Sequence, residues 1–345
     1  FGRRNRRATI SRQMTLEELI GSTLVVGLPG TSLTDGTAAH LRTIHAGGFI
    51  PFARNFESLE QFRALLSTLN GTCGRDLLVM VDHEGGRVVR FSSGVTYFPD
   101  ARTVGETQPP EAACRQGEIE AEELRALGVH VNLAPCVDVL VDGSDPVIGS
   151  RSYGSDPQRV AAFGTARIRG LQRRGVAACA KHFPGLGAVP KDPHRQLPTV
   201  PLDWDTMRGI HLVPFRAAID AGVETIMSSH VCYPKLDPDA TTPATFSKRV
   251  IHDLLRTEFG FRGLILSDDL EMGALRELGS IGEAAVRAVE AGHDVLLICS
   301  EMALQRQVFE ALREAYRTGR LSVAALEHRV DRLRRFHTRF SRRSP

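Results

Sequence analysis

Two histidines, a lysine and an aspartate lie in one short stretch, "KHFPGLGAVPKDPH", at residues 181–194. Histidine titrates near neutral pH and can move protons, and an aspartate beside it can orient the imidazole and stabilise its charged form. The glycines and prolines disfavour a helix or a central strand here. The composition alone favours a solvated surface loop with an incidental histidine over an acid/base pair.

A second polar cluster, "SDDLEM" at residues 267–272, follows an apolar run. A carboxylate at such a place can act as a nucleophile or accept hydrogen bonds from a ligand. Successive residues of an extended chain face opposite sides, so only one of Asp268 and Asp269 should meet a ligand, and the other is expected to be structural. The local alternative is that Asp268 caps a following helix.

Eight apolar runs, each followed by Gly, Pro or polar residues, alternate with segments that have apolar residues at helical spacing. Near-continuous apolar runs are typical of parallel strands that are buried on both faces. The alternation predicts a single-domain (β/α)8 TIM barrel over residues 15–340, preceded by a basic extension at residues 1–14. Thr15 and Glu18 predict a capping box at the first helix. The runs are 23–30, 47–55, 77–86, 129–139, 175–185, 224–234, 262–272 and 292–301.

In a TIM barrel the active site lies at the carboxyl ends of the strands. Six polar clusters at the predicted strand ends therefore indicate a ligand site, because buried polar groups are costly without partners. Hydroxyl-binding groups without a phosphate loop or metal-ligand spacing favour a sugar, so neither a metal nor an organic cofactor is expected. The clusters are Arg54–Asn55, Asp82–His83–Glu84, Asp138, Lys181–His182, Ser228–Ser229–His230 and Ser267–Asp268–Asp269.

The chain has 345 residues, 42% hydrophobic and 24% charged, with a net charge of +3. This charge is too small to favour nucleic acid as a partner, and the arginine clusters near the two ends are interpreted as solvated termini. Six dispersed cysteines without a CxxC pair are typical of a reduced compartment, so a cytoplasmic location is expected. No apolar stretch is long enough to span a membrane. We expect a monomer with a carbohydrate substrate.

Four motifs together resemble glycoside hydrolase family 3, and most closely its single-domain bacterial β-N-acetylglucosaminidase branch. They are "VDHEGGRVVRF" (81–91), "KHFPGLG" (181–187), Asp-Pro-His (192–194) and "SDDLEMGA" (267–274), in the family's order. The resemblance implies that Asp268 is the nucleophile and that Asp192 and His194 form the general acid/base dyad. It implies five ligands for the sugar and places a sixth residue beside the substrate or behind it. The five are Asp82, Arg90, Arg151, Lys181 and His182, and the sixth is His230.

Each of these binding residues could alternatively be an ion-pair partner. Lys181 could also form a Schiff base, as in a barrel lyase.

The sequence departs from the family pattern at Leu186, Pro193 and His83. We expect Leu186 and His83 to touch the wall of the site, and Pro193 to bias Asp192 towards an extended conformation. Gly185 and Gly187 are candidate hinges for a mobile loop. Glu84 is expected to brace the tight turn formed by the glycines that follow it.

The function expected from the resemblance is a retaining exo-β-N-acetylglucosaminidase that removes terminal GlcNAc from peptidoglycan-derived fragments in wall recycling. A phosphorylase on the same fold is an alternative, because a histidine acid/base does not repel phosphate as a carboxylate would. A non-catalytic sugar-binding barrel is a second alternative.

Overall fold

A computed structural model describes residues 14–341 apart from 142, 145–146, 190–191 and 195–196. The predicted basic extension, residues 1–14, lies outside the described residues except for Met14. Eight parallel strands form a closed barrel in which each strand pairs with the next and the last pairs with the first, as the sequence predicts. The strands are β1 (Leu24–Val26), β2 (Gly48–Phe49), β3 (Leu78–Val81), β4 (Val131–Asn132), β5 (Ala177–Phe183), β6 (Thr225–Ser228), β7 (Leu264–Asp269) and β8 (Val295–Ile298).

Helices connect successive strands on the outside of the barrel. The predicted capping box is present: Thr15 accepts from the backbone of Glu18, and the Glu18 carboxylate accepts from the backbone of Thr15. The α-helices are α1 (Leu16–Ser22), α2 (Asp35–Thr43), α3 (Leu59–Cys73), α4 (Ala101–Thr107), α5 (Pro110–Ala126), α6 (Pro157–Arg173), α7 (Trp204–Thr206), α8 (Val213–Asp220), α9 (Gly273–Arg276), α10 (Ile281–Ala291), α11 (Met302–Arg317) and α12 (Val323–Ser341). Two segments are π-helical, Met207–His211 and Arg249–Glu258. Three are short 3₁₀ turns, Ala53–Asn55, Gly149–Arg151 and Ala244–Phe246.

The apolar residues form two cores, as the alternation of strand faces requires. One core lies between the strands and the helices and includes Val26, Val79 and Ile265. The other fills the barrel and includes Val25, Leu78 and other inward residues of the strands. The short, near-continuous apolar strands are therefore buried on both faces.

The last helix, α12, closes the amino-terminal end of the barrel. Leu333, Phe336 and Phe340 pack into the inner core, and His337 contacts the ring of His130 immediately before β4. Leu326, Val330, Leu333 and Phe340, which lie at helical spacing in the sequence, are all buried. Because α12 covers the amino-terminal end of the barrel, a ligand site is expected at the carboxyl ends of the strands. Within the described ranges, every helix is too short or too polar to cross a membrane.

Candidate active site

A cavity of about 310 Å³ lies at the carboxyl ends of the strands. Eight of the nine predicted site residues line it, and the exception is His230. The residues lining the cavity are Asp82, Glu84, Arg87, Val88, Arg90, Val147, Arg151, Lys181, His182, Leu186, Asp192, Pro193, His194, Met227, Asp268 and Met272.

Two irregularities in strand pairing occur where the site residues leave the barrel. The register between β5 and β6 shifts between Ala180 and Phe183, around Lys181 and His182. The register between β7 and β8 shifts between Leu266 and Asp269, around Asp268. Such bulges redirect side chains at the rims of barrels, so the local strand geometry turns these polar residues towards the cavity.

Lys181 and Arg151 hold two carboxylates together on one wall of the cavity. The ammonium of Lys181 lies 2.7 Å from Oδ1 of Asp82 and 2.6 Å from Oε1 of Glu84. Arg151 binds the same Glu84 with two hydrogen bonds of 2.9 Å and 2.8 Å. The geometry of a planar guanidinium matches a carboxylate in this way. This network fixes the position of the cations before any ligand binds.

Charge pairing inside the network shifts the pKa of its members strongly. Burial alone would raise the pKa of Glu84, but Arg151 and Lys181 outweigh burial and lower it. Burial alone would lower the pKa of Lys181, but Asp82 and Glu84 outweigh burial and raise it. Because a Schiff base needs a neutral amine, a lysine held in its charged form argues against the lyase alternative.

Arg90 completes this wall at its outer side. Its guanidinium lies 3.6 Å from Oδ2 of Asp82 and 5.2 Å from the centre of the Phe52 ring. Asp82 is therefore held between Lys181 and Arg90. Its carboxylate can accept from a ligand hydroxyl, and the cations beside it can donate to one.

His182 contacts a buried carboxylate that sequence reasoning left without a role. Nδ1 of His182 lies 2.8 Å from Oδ2 of Asp138, and the backbone N–H of His182 also donates to this carboxylate. The backbone N–H of Leu186 donates to Oδ1 over 2.6 Å, and the thiol of Cys136 donates to Oδ2 over 3.2 Å. Asp138 therefore orients His182 and also holds the start of the loop that leaves β5.

Cys136, Asp138 and His182 are also the one group of potential metal ligands that lies close enough together among residues 14–341 as described. Four donors already satisfy the carboxylate, and burial raises the pKa of the Cys136 thiol well above its usual range. A metal would need the thiolate and would displace these hydrogen bonds. We therefore interpret the cluster as a hydrogen-bonded set.

The side chains of Asp268 and Asp269 point to opposite sides of the strand, as the alternation of an extended strand predicts. Asp268 lines the cavity, and its Oδ1 accepts from the backbone N–H of Asp269 over 2.8 Å. Burial alone would raise the pKa of Asp268, but His182, His230 and Lys181 outweigh burial and lower it. Asp268 is thus a carboxylate at neutral pH, as a nucleophile must be.

Asp269 points away from the cavity, and its side chain is structural. Oδ1 accepts from the backbone N–H groups of Glu271 and Cys299 over 3.1 Å and 3.2 Å. Burial, with Glu271 and Asp268 nearby, raises the pKa of Asp269 to about 7. The two adjacent aspartates therefore have pKa values shifted in opposite directions, which separates an ionised nucleophile from a supporting carboxyl.

Asp192 and His194, the dyad that the family resemblance implies, contact each other. Nδ1 of His194 lies 2.7 Å from Oδ1 of Asp192, which also accepts from the backbone N–H of His194. The His194 side chain is 58% exposed, whereas that of Asp192 is 27% exposed. The contact at Nδ1 leaves Nε2 for proton exchange in the cavity that Asp268 also lines.

Of the two positions expected for His230, beside the substrate or behind it, the structure supports the second, and the expectation that His83 touches the wall of the site needs correction. His230 does not line the cavity: it is buried, with Nδ1 2.7 Å from Thr245 and Nε2 2.9 Å from the backbone oxygen of Asp269. Both ring nitrogens are engaged, so His230 supports the strand end and has no ring nitrogen to offer a substrate. His83 packs against Phe91 behind the cavity, and burial lowers its pKa to about 4. It is not part of the cavity wall, whereas Leu186 is.

The interpretation of Gly185 and Gly187 as hinges is not supported either. A Cβ on Gly187 would lie 1.9 Å from the backbone oxygen of Val139, and one on Gly185 would lie 2.8 Å from His211. The carbonyls of both glycines accept hydrogen bonds, from Tyr233 and from the backbone of Val141. The glycines permit close packing of the chain beside the site.

The predicted strand-end cluster Arg54–Asn55 lies outside the cavity because it satisfies backbone carbonyls. Arg54 donates to the backbone oxygens of Leu28 and Cys299, and Asn55 donates to those of Leu28 and Gly30. They satisfy carbonyls at the exits of β1 and β8 and are absent from the cavity wall.

Sequence reasoning missed the roles of Glu84 and Asp138. Glu84 joins Lys181 to Arg151, and Asp138 orients His182. A signal existed for both, because each carboxylate follows an apolar strand at the functional end of the barrel. Their partners lie far away in sequence, at a separation of 67 residues for Arg151 and Glu84. This separation concealed which cation each carboxylate would meet.

Comparison with known proteins gives consistent results. Residues 15–336 match the family profile described as "Glycosyl hydrolase family 3 N terminal domain". The chain is 40% identical over 311 residues to a beta-hexosaminidase of Nitrosomonas eutropha, covering 88% of each protein.

Among solved structures, it is similar to a glycoside hydrolase family 3 beta-N-acetylglucosaminidase from Paenibacillus sp. strain FPU-7. The TM-score is 0.93 at 37% identity, and the match covers 96% of this chain and 64% of that one. It is also similar to NagZ from Neisseria gonorrhoeae in complex with N-trifluoroacetyl-D-glucosamine. There the TM-score is 0.76 at 31% identity, covering 90% of this chain and 98% of that one.

Proposed function

The chain belongs to glycosyl hydrolase family 3 and is a glycoside hydrolase of the β-N-acetylhexosaminidase class, and from this premise we propose a retaining exo-β-N-acetylglucosaminidase. Its substrates would be peptidoglycan-derived fragments with a terminal β-linked GlcNAc, met in the cytoplasm. The observation that carries the proposal is the shared cavity: Asp268 and the Asp192–His194 pair line one volume of about 310 Å³.

In the first step, Asp268 attacks the anomeric carbon and forms an ester bond with the sugar. As the glycosidic bond breaks, Nε2 of protonated His194 gives its proton to the leaving oxygen. Asp192 accepts from Nδ1 and stabilises the imidazolium that donates this proton, as a carboxylate does in a catalytic triad. The low pKa of Asp268 keeps it ionised for the attack.

In the second step, neutral His194 takes a proton from water while the water oxygen attacks the anomeric carbon. The bond to Asp268 breaks, the carboxylate is restored, and two inversions give net retention of configuration. The same histidine serves as acid and then as base, so the cycle ends with His194 protonated again.

The Lys181 network supports binding of one terminal sugar. Asp82, Lys181 and Arg151 present acceptors and donors whose positions are fixed by their mutual ion pairs. A cavity of about 310 Å³ is at the small end of ligand pockets, which favours a single sugar unit over a long chain in the subsite. The acetamido preference rests on the relatives, one of which was solved with N-trifluoroacetyl-D-glucosamine.

The decisive experiment compares aryl β-GlcNAc with aryl β-glucoside and follows the anomer released. Faster turnover of aryl β-GlcNAc, with β-GlcNAc as the first product, supports the proposal. A first product of α configuration would contradict the retaining mechanism, and absence of turnover would indicate a sugar-binding barrel. GlcNAc-1-phosphate formed in phosphate buffer would identify a phosphorylase.

A further inference from the structure

The buried carboxylate of Asp138 is surrounded by donors and acts on the cavity only through His182. Asp138 is fully buried and lies outside the cavity wall, whereas His182 lines it. Two backbone N–H groups, one imidazole nitrogen and one thiol converge on its two oxygens. Since an ionised carboxylate only accepts, the nitrogen of His182 that faces it must carry a proton.

The other face of the His182 ring gives an independent indication of the same proton arrangement. Nε2 lies 3.4 Å from a guanidinium nitrogen of Arg151. Arginine has only N–H donors, so Nε2 meets it favourably only with its lone pair. Arg151 itself is held by two hydrogen bonds to Glu84 and cannot turn away without breaking them.

We propose that Asp138 is a positioning residue that fixes His182 in the Nδ1–H tautomer. The lone pair of Nε2 then faces Arg151 across a long contact of 3.4 Å, and a substrate hydroxyl that accepts from Arg151 can replace this contact by donating to Nε2. The identity of the substrate in this inference rests on the proposed function. The tautomer of His182, in contrast, is a property of the free protein. It makes His182 selective for a ligand group that donates, namely a sugar hydroxyl, on a wall where Lys181 and Arg151 are donors and Asp82 is an acceptor.

The substitution Asp138→Asn tests the inference because it can keep every contact of the carboxylate while reversing the direction of two of them. The amide oxygen can accept from the backbone N–H groups of His182 and Leu186. The amide N–H₂ group can donate to Nδ1 of His182 and to the sulfur of Cys136. His182 would then carry its proton on Nε2 and present a donor to the substrate and to Arg151.

The first measurement is the ¹⁵N and ¹H NMR spectrum of the His182 ring, in the wild type and in Asp138→Asn. We expect protonated Nδ1 and unprotonated Nε2 in the wild type, and the reverse in the variant. Cys136→Ala is the matched control, because it removes one donor from the same carboxylate and should leave the wild-type tautomer. A wild-type spectrum with Nε2 protonated would overturn the inference without any variant having to fold.

The second measurement uses aryl β-GlcNAc substrates in which the 3-, 4- or 6-hydroxyl is replaced by fluorine, which accepts weakly and cannot donate. In the wild type, one replacement should lower kcat/KM by about 10–100-fold more than the others, as expected for losing a hydrogen bond to a buried acceptor. In Asp138→Asn, this difference should shrink at least fivefold, while Cys136→Ala keeps it.

Equal losses on all three substrates in Asp138→Asn, with an unchanged tautomer, would mean a structural role only. If the protein hydrolysed no β-GlcNAc substrate, the proposed function would fail, but the NMR measurement would still decide the tautomer.

Discussion

The backbone oxygen of His194 accepts a hydrogen bond from the backbone N–H of Gly273 over 3.2 Å. The neighbouring backbone oxygen of Pro193 accepts from Ala274 over 3.1 Å. His194 belongs to the loop that leaves β5, whereas Gly273 begins α9, directly after the strand that carries Asp268. The acid/base candidate and the nucleophile candidate are therefore joined through their backbones, although 74 positions separate them in the chain.

Gly273→Pro should remove one of these two backbone hydrogen bonds without disrupting α9. Proline is well tolerated at the first helical position, and Met272 before it already has the extended conformation that proline requires. The substitution removes the N–H that binds His194. We expect kcat on an unactivated disaccharide to fall by about tenfold or more, because misplacement of a catalytic group by a small distance is costly.

Gly273→Ala is the control for this prediction, because it keeps the N–H group. Circular dichroism and the melting temperature show whether the proline variant is folded. A folded Gly273→Pro variant with wild-type kcat would show that the hydrogen bond between Gly273 and His194 does not position His194.

Asp268→Asn should abolish turnover of every substrate, because the amide cannot form the glycosyl ester. We expect kcat to fall by more than about 10³-fold, the scale seen when a nucleophile is removed from an enzyme. Binding of GlcNAc, measured by calorimetry, should persist. In the wild type, a 2-deoxy-2-fluoro or 5-fluoro glycoside should label Asp268, with the mass increase located by peptide mass spectrometry. Labelling of another carboxylate would refute the assignment.

His194→Ala should affect substrates according to their leaving groups. An aryl glycoside with an acidic phenol needs little protonation, whereas a sugar leaving group needs a full proton transfer. We expect a loss of about 10²–10⁴-fold on a disaccharide and a much smaller loss in the first step on the activated aryl glycoside. Steady-state and pre-steady-state rates, measured on a series of aryl glycosides with different phenol leaving groups, give the dependence of the rate on leaving-group acidity. Equal losses across the series would exclude the acid/base role.

How far the sequence predicts this site depends on the range of the interactions. The contact between Asp192 and His194 is implied by the resemblance of the motifs to the family, and the barrel with its helices follows from local periodicity, which acts over a few residues. The orientation of His230 does not, because its partners are Thr245 and a backbone oxygen of a different strand. Its polar character at a strand end fits substrate contact and structural support equally well.

The two buried carboxylates illustrate the same limit. Glu84 precedes a pair of glycines, and that local context predicts a brace for a turn. Only the closed barrel brings Lys181 and Arg151 to it, from β5 and from the segment that follows β4. Predicting such a network requires the relative rotation of neighbouring strands, which hydrophobic periodicity does not specify.

Glu84→Gln should lower the free energy of unfolding at neutral pH. It should also reduce the loss of stability that the protein shows as the pH falls into the acid range. The pKa of Glu84 is lowered in the folded protein, so its contribution is present above the unfolded-state value near 4.3 and is lost as pH falls below it. Removing one partner of a buried ion pair costs about 3–5 kcal/mol. We expect a decrease of this size in the free energy of unfolding at pH 7, measured with urea.

The control for Glu84 is Glu106→Gln, which breaks the exposed pair with Arg102. Exposed pairs contribute at most about 1 kcal/mol, so its stability should stay near that of the wild type. A Glu84→Gln variant that matched this control at pH 7 would show that the buried network does not stabilise the fold.

The wild type should lose stability between acid and neutral pH as Asp269 ionises. Asp269→Asn should not show this loss. Burial raises the pKa of Asp269 to about 7. For a carboxyl group with a raised folded-state pKa, the stabilising effect is complete below the unfolded value near 3.9. It is lost as pH rises through about 7, because the folded protein then releases the proton that it had retained.

Asparagine can accept from Glu271 and Cys299 through the same oxygen and never ionises, so the packing is kept while the titration disappears. The melting temperature of Asp269→Asn, relative to that of the wild type, should therefore be similar near pH 4 and should increase between pH 5 and pH 8. Scanning calorimetry across this range measures the difference directly. If the two curves ran parallel, Asp269 would not be the group that titrates. If the variant became relatively less stable with rising pH, the sign of the shift would be wrong, and the carboxylate of Asp269 would have to be stabilised by its two backbone donors more than it is destabilised by burial beside Asp268.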